Sequence, residues 1–223
     1  MPSFQAPARW ITVCSLLQIL IPARSAVAQP IIPGRRVILV HGINDSARAM
    51  STLQRRLESR GYQAFALSLK PNNASVTFDV MARQLDAFVS ANIPAGEKFD
   101  LVAFSMGGLV SRFYVQNMEG YRHVRRFVTI STPNHGTIWA WLSGRPGVKQ
   151  MRPDSDMLRQ LNSDVGTLAS LGYTSIYTPF DLSIVPASSS RMAVAHNVVI
   201  ICPLHPLMVI LPGPIHAVER ALE

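Results

Sequence analysis

Phe99-Asp100-Leu101-Val102-Ala103-Phe104-Ser105-Met106-Gly107-Gly108-Leu109-Val110 is the stretch that decides the fold of this chain. Its first half is an apolar run that reads as a strand over Phe99–Phe104, and its second half opens a helix expected over Met106–Met118. A single serine stands between them. A strand that turns into a helix this tightly crowds the residues two before and two after the serine. Here those residues are Ala103 and Gly107, both small. The turn lifts the serine Oγ above the sheet in a strained conformation. The following helix points its first N–H groups at the same place, which favours negative charge there. A serine before small residues can also be a helix cap. The strand on one side and the helix on the other favour Ser105 as a nucleophile.

Outward from this turn, strand followed by helix recurs. Arg36–Val40 is a β-branched apolar run ending at His41-Gly42. Ser46 is placed to cap a helix whose Met50, Leu53 and Leu57 share a face, with Gly61 closing it. Tyr62–Leu69 reads as a second strand, stopped by Pro71, and Val76–Asn92 carries apolar residues at helical spacing. Val124–Ile130 is a fourth strand. Beyond Ser131 the pattern loosens to a short helix at Asp156–Leu161, strands at Tyr173–Thr178 and Asn197–Ile201, and a closing helix at Ala217–Leu222. Apolar strands alternating with amphipathic helices predict an α/β protein with a parallel, doubly wound sheet covered on both faces. Sites in such sheets lie beyond the carboxyl ends of the strands.

That rule selects the partners of Ser105. His41-Gly42-Ile43-Asn44-Asp45 follows the first strand, and the backbone N–H groups of Ile43 and Met106 are candidate donors to an oxyanion. Serine needs a base, normally histidine, oriented by a carboxylate. A serine on such a turn is followed in the chain first by the acid and then by histidine. This order removes His41, His123 and His135. Asp181 lies at the carboxyl end of the strand Tyr173–Thr178, whereas Asp154, Asp156 and Asp164 lie in the irregular stretch before it. His205 lies just beyond the last strand, while His196 would begin that strand and His216 falls in the closing helix. Geometry favours Asp181 and His205, with His216 and His196 as alternatives.

The chain of 223 residues suits one domain, with 48% hydrophobic and 15% charged residues. Arg9, the uncharged apolar run Trp10–Ile21 and Ala26-Val27-Ala28 together predict a cleaved export signal over residues 1–28, and an exported single domain over 29–223. An uncleaved anchor is the alternative. Cleavage would take the net charge from +8 to +6 and leave Cys202 as the sole cysteine, so no intramolecular disulfide could form. The arginine pairs are scattered, with no aromatic-interleaved basic run, which argues against nucleic acid as a partner. A basic exported protein can be drawn to anionic surfaces.

With these residues placed, the chain resembles the small secreted lipases and esterases of the α/β-hydrolase superfamily. In particular it is similar to the short bacterial lipases whose nucleophile turn reads A-x-S-M-G-G. The resemblance rests on Val37–Ile43, Ala103–Gly108, Ser131–Thr137, Asp181–Pro186 and the His205 segment. It implies acyl-ester hydrolysis, with Ser105 attacking, His205 as base then acid, Asp181 orienting it, and Ile43 and Met106 as oxyanion donors. It also implies a reduced α/β-hydrolase fold of about six parallel strands. Only Gln29–Arg35 precede the first strand after cleavage, so the family's two leading strands have no room. Ala103 stands where the wider superfamily has glycine, as the short lipases also allow. Larger lipases carry a long lid and some a calcium; Gly136–Gly172 would make only a short cover, no dense carboxylate cluster is present, and no cofactor or metal is expected. The implied substrate is a small-molecule or lipid ester, with transient contact at a lipid interface. Acyl transfer or thioester hydrolysis by the same triad stays open, as does a non-catalytic binding protein on the same scaffold.

Overall fold

The computed structural model describes residues 35–223, so the expected export signal lies outside the described residues. Six strands form one parallel sheet: β1 Arg36–Val40, β2 Gln63–Leu67, β3 Phe99–Phe104, β4 Val124–Ile130, β5 Gly172–Tyr177 and β6 His196–Val199. Their order is β2-β1-β3-β4-β5-β6. The winding therefore reverses between β1 and β3, which opens a crevice above their adjacent carboxyl ends.

Alternation along the strands explains the two cores. Ile38 and Val40 of β1, with Leu101 and Ala103 of β3, face a layer that includes α2 (Phe78–Asn92) and α3 (Met106–Asn117). Val37, Leu39, Val102 and Phe104 face the other way, onto α1 (Ser51–Glu58) and the closing helix. Successive side chains of a strand point to opposite faces, and here water reaches neither. The result is the near-continuous apolar run of a doubly covered strand.

Several boundaries differ from the sequence reading. Ser46 makes no side-chain cap; a 3₁₀ turn over Ala47–Met50 precedes α1 instead. The closing helix begins at Pro212, five residues earlier than its apolar spacing suggested. Proline suits that first position, because its missing N–H would have no helical partner anyway. Between β4 and β5 the chain forms a 3₁₀ turn at Ile138–Leu142 and three short helices, α4 (Pro146–Gln150), α5 (Asp156–Ser163) and α6 (Gly166–Ala169); Pro212–Leu222 is then α7. Ser155 caps α5 by accepting the Leu158 amide. Among the described residues, no helix is long and apolar enough to cross a membrane.

Candidate active site

Ser105 joins β3 to α3 with φ 54° and ψ −126°, a backbone conformation that residues other than glycine rarely adopt. Its amide is tied to the Ile130 carbonyl at the end of β4 (2.8 Å). Local crowding accounts for the glycines around it. Val40 pairs with Ala103, which brings the loop after β1 alongside the turn. A methyl on Gly107 would lie 2.8 Å from the Val40 carbonyl oxygen and collide with that of His41. One on Gly108 would strike the Thr132 side chain, and one on Gly42 would sit 3.1 Å from the Ser105 Cβ. The small residues thus let α3 start directly over the ends of β1 and β4.

The three side chains selected from sequence meet in one hydrogen-bonded line. Ser105 Oγ lies 2.9 Å from His205 Nε2, and His205 Nδ1 lies 2.7 Å from Asp181 Oδ2. Asp181 Oδ1 accepts the amides of Ser183 and Ile184, both at 2.9 Å, which fixes the carboxylate plane. Burial alone would raise the Asp181 carboxyl. The hydrogen bond and charge of His205 oppose it, with smaller help from the Ile184 amide and the Ser131 hydroxyl, and hold it below the ordinary carboxylate value. The Ser131 hydroxyl does so from nearby, since among the described residues it meets no partner in ordinary hydrogen-bond geometry. Asp181 is therefore ionised at neutral pH, leaving His205 Nδ1 as the donor and Nε2 free to accept from the serine.

Supporting contacts hold this line in place. Thr178 Oγ1 donates to the Cys202 carbonyl (2.8 Å), joining the loop that carries Asp181 to the one that carries His205. Thr137 Oγ1 donates to the Ser183 carbonyl and accepts the Val185 amide, both at 3.1 Å. The Phe104 ring packs against the imidazole of His205 at 4.7 Å between centroids. His216, the alternative base, is itself half-exposed on α7, 3.8 Å from the Glu219 carboxylate and away from Ser105. His196 opens β6, at the amino end of the sheet.

The loop after β1 is pinned as firmly. His41 is fully buried; Nδ1 faces the Gly42 carbonyl at 2.7 Å and Nε2 accepts the Leu69 amide at 3.0 Å. That pattern requires Nδ1 to carry the proton. Burial lowers the His41 pKa against the weaker opposing pull of Gly42 and Asp45, so the ring is neutral. Asn44, at φ 59°, donates its amide to Asn72, and Asn72 Nδ2 donates to the Asp45 carbonyl. Among the described residues, neither the Ile43 nor the Met106 amide donates to a protein acceptor. Sequence reasoning set His41 aside because it precedes the serine. Its part in bracing the loop depends on Leu69, a contact that nothing local in the sequence encodes.

Ser105 and His205 line a cleft of about 500 Å³, whose other walls include Ile43, Ala140, Val148 and Met151. The cleft is mainly apolar, with Arg145 and Asp45 also on its walls. Such a space suits an apolar group lying beside a few convergent polar side chains.

The family model described as palmitoyl protein thioesterase matches residues 36–188. That stretch includes Ser105 and Asp181 and stops short of His205. Among solved structures, the mature form of the lipase BlEst2 from Bacillus licheniformis superposes with a TM-score of 0.68 at 17% identity, covering 87% of this chain and 95% of that one. The ydeN gene product of B. subtilis gives 0.60 at 17% identity, covering 84% and 98%. Lipase B of Aspergillus fumigatus gives 0.63 at 20% identity, covering 74% of this chain and 44% of that one. At these identities the likeness is one of fold: six parallel strands wrapped by helices, as in α/β hydrolases.

Proposed function

The chain belongs to the palmitoyl protein thioesterase family within the α/β hydrolases, and we propose that it is a serine hydrolase of carboxylic acyl esters, exported from the cell that makes it. The observation that carries this reading is the line Ser105 Oγ–His205 Nε2–Asp181, with contacts of 2.9 and 2.7 Å, on the wall of an apolar cleft.

In this reading His205 takes the Ser105 proton as Oγ attacks the acyl carbonyl carbon. The amides of Ile43 and Met106 hold the negative oxygen of the tetrahedral intermediate. His205 then gives the proton to the leaving oxygen, the ester C–O bond breaks, and an acyl-serine remains. Water, deprotonated by His205, attacks that acyl group. The acid leaves and the serine regains its proton. Asp181 stays ionised throughout and steadies the imidazolium.

Thioester hydrolysis is the second reading, favoured by the family to which the chain belongs. The acyl-serine is the same; only the leaving atom is sulfur rather than oxygen. A fluorophosphonate probe tests the shared step, and folded protein without label on Ser105 would remove both readings. Matched fatty-acyl oxygen esters and thioesters then separate them by kcat/KM. A preference of more than about tenfold for the thioester would replace the first reading with the second.

A further inference from the structure

The walls of the cleft explain what it holds, but not the ground around its mouth. Leu142 is 79% exposed, Leu182 73% and Trp141 61%, and Trp139, Phe180 and Leu204 are also largely in water. Large apolar side chains left in water together mark a surface that meets something else. These six stand on three segments bound to the site. Trp139 lines the cleft and donates its Nε1–H to the Leu182 carbonyl (2.8 Å). The Ile138 amide is bonded to the Val185 carbonyl. Phe180 precedes Asp181, and Leu204 precedes His205.

Charge accompanies this rim. Arg152 lies 4.5 Å over the Trp141 ring and is held by the Ala140 and Ser143 carbonyls. Arg145 lines the cleft, its guanidinium making one long bond (3.4 Å) to the Asn73 carbonyl, and Lys149 is exposed nearby. The acids are Asp45 on the cleft wall and Asp154 and Asp156 beyond Trp141; Arg159 engages the Asp156 carboxylate. Among the described residues, three bases thus face the rim against two unengaged acids, in a chain whose net charge is +8, or +6 after the expected cleavage.

We infer that this rim docks on an anionic lipid surface, seating the cleft mouth against the layer from which acyl chains are drawn. Tryptophans settle at the boundary between headgroups and acyl chains, leucines enter it, and arginines reach back to the phosphates. The three bases favour an anionic layer over a neutral one. The inference deepens the acyl-hydrolase reading and rests on it only for the chemistry that follows docking.

The test uses the full-length chain with Ser105→Ala, which stops turnover, and Trp10→Phe, so that only Trp139 and Trp141 emit. It is mixed with vesicles of phosphatidylglycerol or phosphatidylcholine whose acyl chains carry bromine, a contact quencher of tryptophan. Phosphatidylglycerol should quench at about a tenfold lower lipid concentration than phosphatidylcholine. Leu142→Glu with Leu182→Glu should raise that concentration at least about tenfold, with an unchanged circular dichroism spectrum. Absence of quenching, or equal quenching in the double variant, overturns the inference. Equal quenching by both lipids overturns the choice of an anionic surface. A concentration-dependent dimer abolished by the same two substitutions, without quenching, would give the rim to a second copy instead. Fluorophosphonate labelling of the chain that retains Ser105 is read separately. Quenching without labelling removes the hydrolase reading alone, and labelling without quenching removes the docking alone.

Discussion

Ser105 Oγ and His205 Nε2 lie 2.9 Å apart although a hundred residues separate them in the chain. β3 delivers the first and the segment after β6 the second, at the same end of the sheet. Replacing His205 by alanine should lower kcat at least about 10³-fold with little change in KM, because the serine loses the base that activates it. His216→Ala should change kcat less than about twofold, since that ring is half-exposed on α7. Ester turnover by the two variants checks both, and the opposite ranking would assign the base to His216.

His41 should control the rate without touching substrate. His41→Ala leaves the buried Leu69 amide without its acceptor and releases the Gly42 carbonyl. Each unmet buried group costs about 1–3 kcal/mol, and the loop bearing the Ile43 amide loosens. The expected result is a kcat about 10- to 100-fold lower, with KM changed much less, because an oxyanion donor acts mainly in the transition state. Steady-state kinetics checks the split; an unchanged kcat would show that the loop is held by other means.

Arg112 on α3 is wholly buried and, among the described residues, faces no carboxylate. Its Nη2 donates to the Leu161 carbonyl and Asn162 Oδ1, both at 2.9 Å, while Nη1 reaches Asn134. Burial brings its pKa down to about 10, so it remains charged at neutral pH. Arg112→Met would leave the side-chain oxygens of Asn162 and Asn134 unmet, while the Leu161 carbonyl keeps the Gln116 amide, and should cost about 2–4 kcal/mol. A urea midpoint lowered at constant slope is the expected signature.

Glu219 links α7 to Arg56 on α1 and to Arg60 in the turn that follows it. Burial would raise its carboxyl, but the two arginines outweigh that and hold it below the ordinary value. A lowered folded-state pKa gives stability that is fully present above the unfolded value, near pH 4.3, and is lost as pH falls through the folded value. Glu219→Gln should therefore lower Tm by about 2–4 °C at pH 7. The gap should begin to shrink as pH falls below the unfolded value and vanish once it has passed the folded one. A gap that stayed constant down the acid limb of the Tm–pH profile would contradict the ionic origin of the effect.

The sheet was legible because its strands are apolar on both faces. Val37–Val40 reads as a buried strand since every one of those side chains is in fact buried. Asp181 and His205 were legible because chain order and strand ends limit where partners of Ser105 can stand. The contacts between distant segments were not. Arg112 looks from sequence like an ordinary charged residue on a helix, and only the fold brings Leu161 and Asn134 to it. The start of α7 was missed because Leu211-Pro212-Gly213-Pro214 carries two prolines and a glycine, which read as loop although Pro212 suits a helix's first position. In the cover between β4 and β5, the short helix expected at Asp156–Leu161 is α5, but α4 and α6 escaped for a related reason. Those two are only about one turn long, too short for periodicity to register.

His205 lies past the last strand, beyond the stretch that the family model matches. Synthesis runs from the amino end, so Ser105 leaves the ribosome long before its partner does. On the proposed reading, a chain still lacking its closing segment carries the serine without its base. The triad is complete only once the segment after β6 folds back onto the sheet.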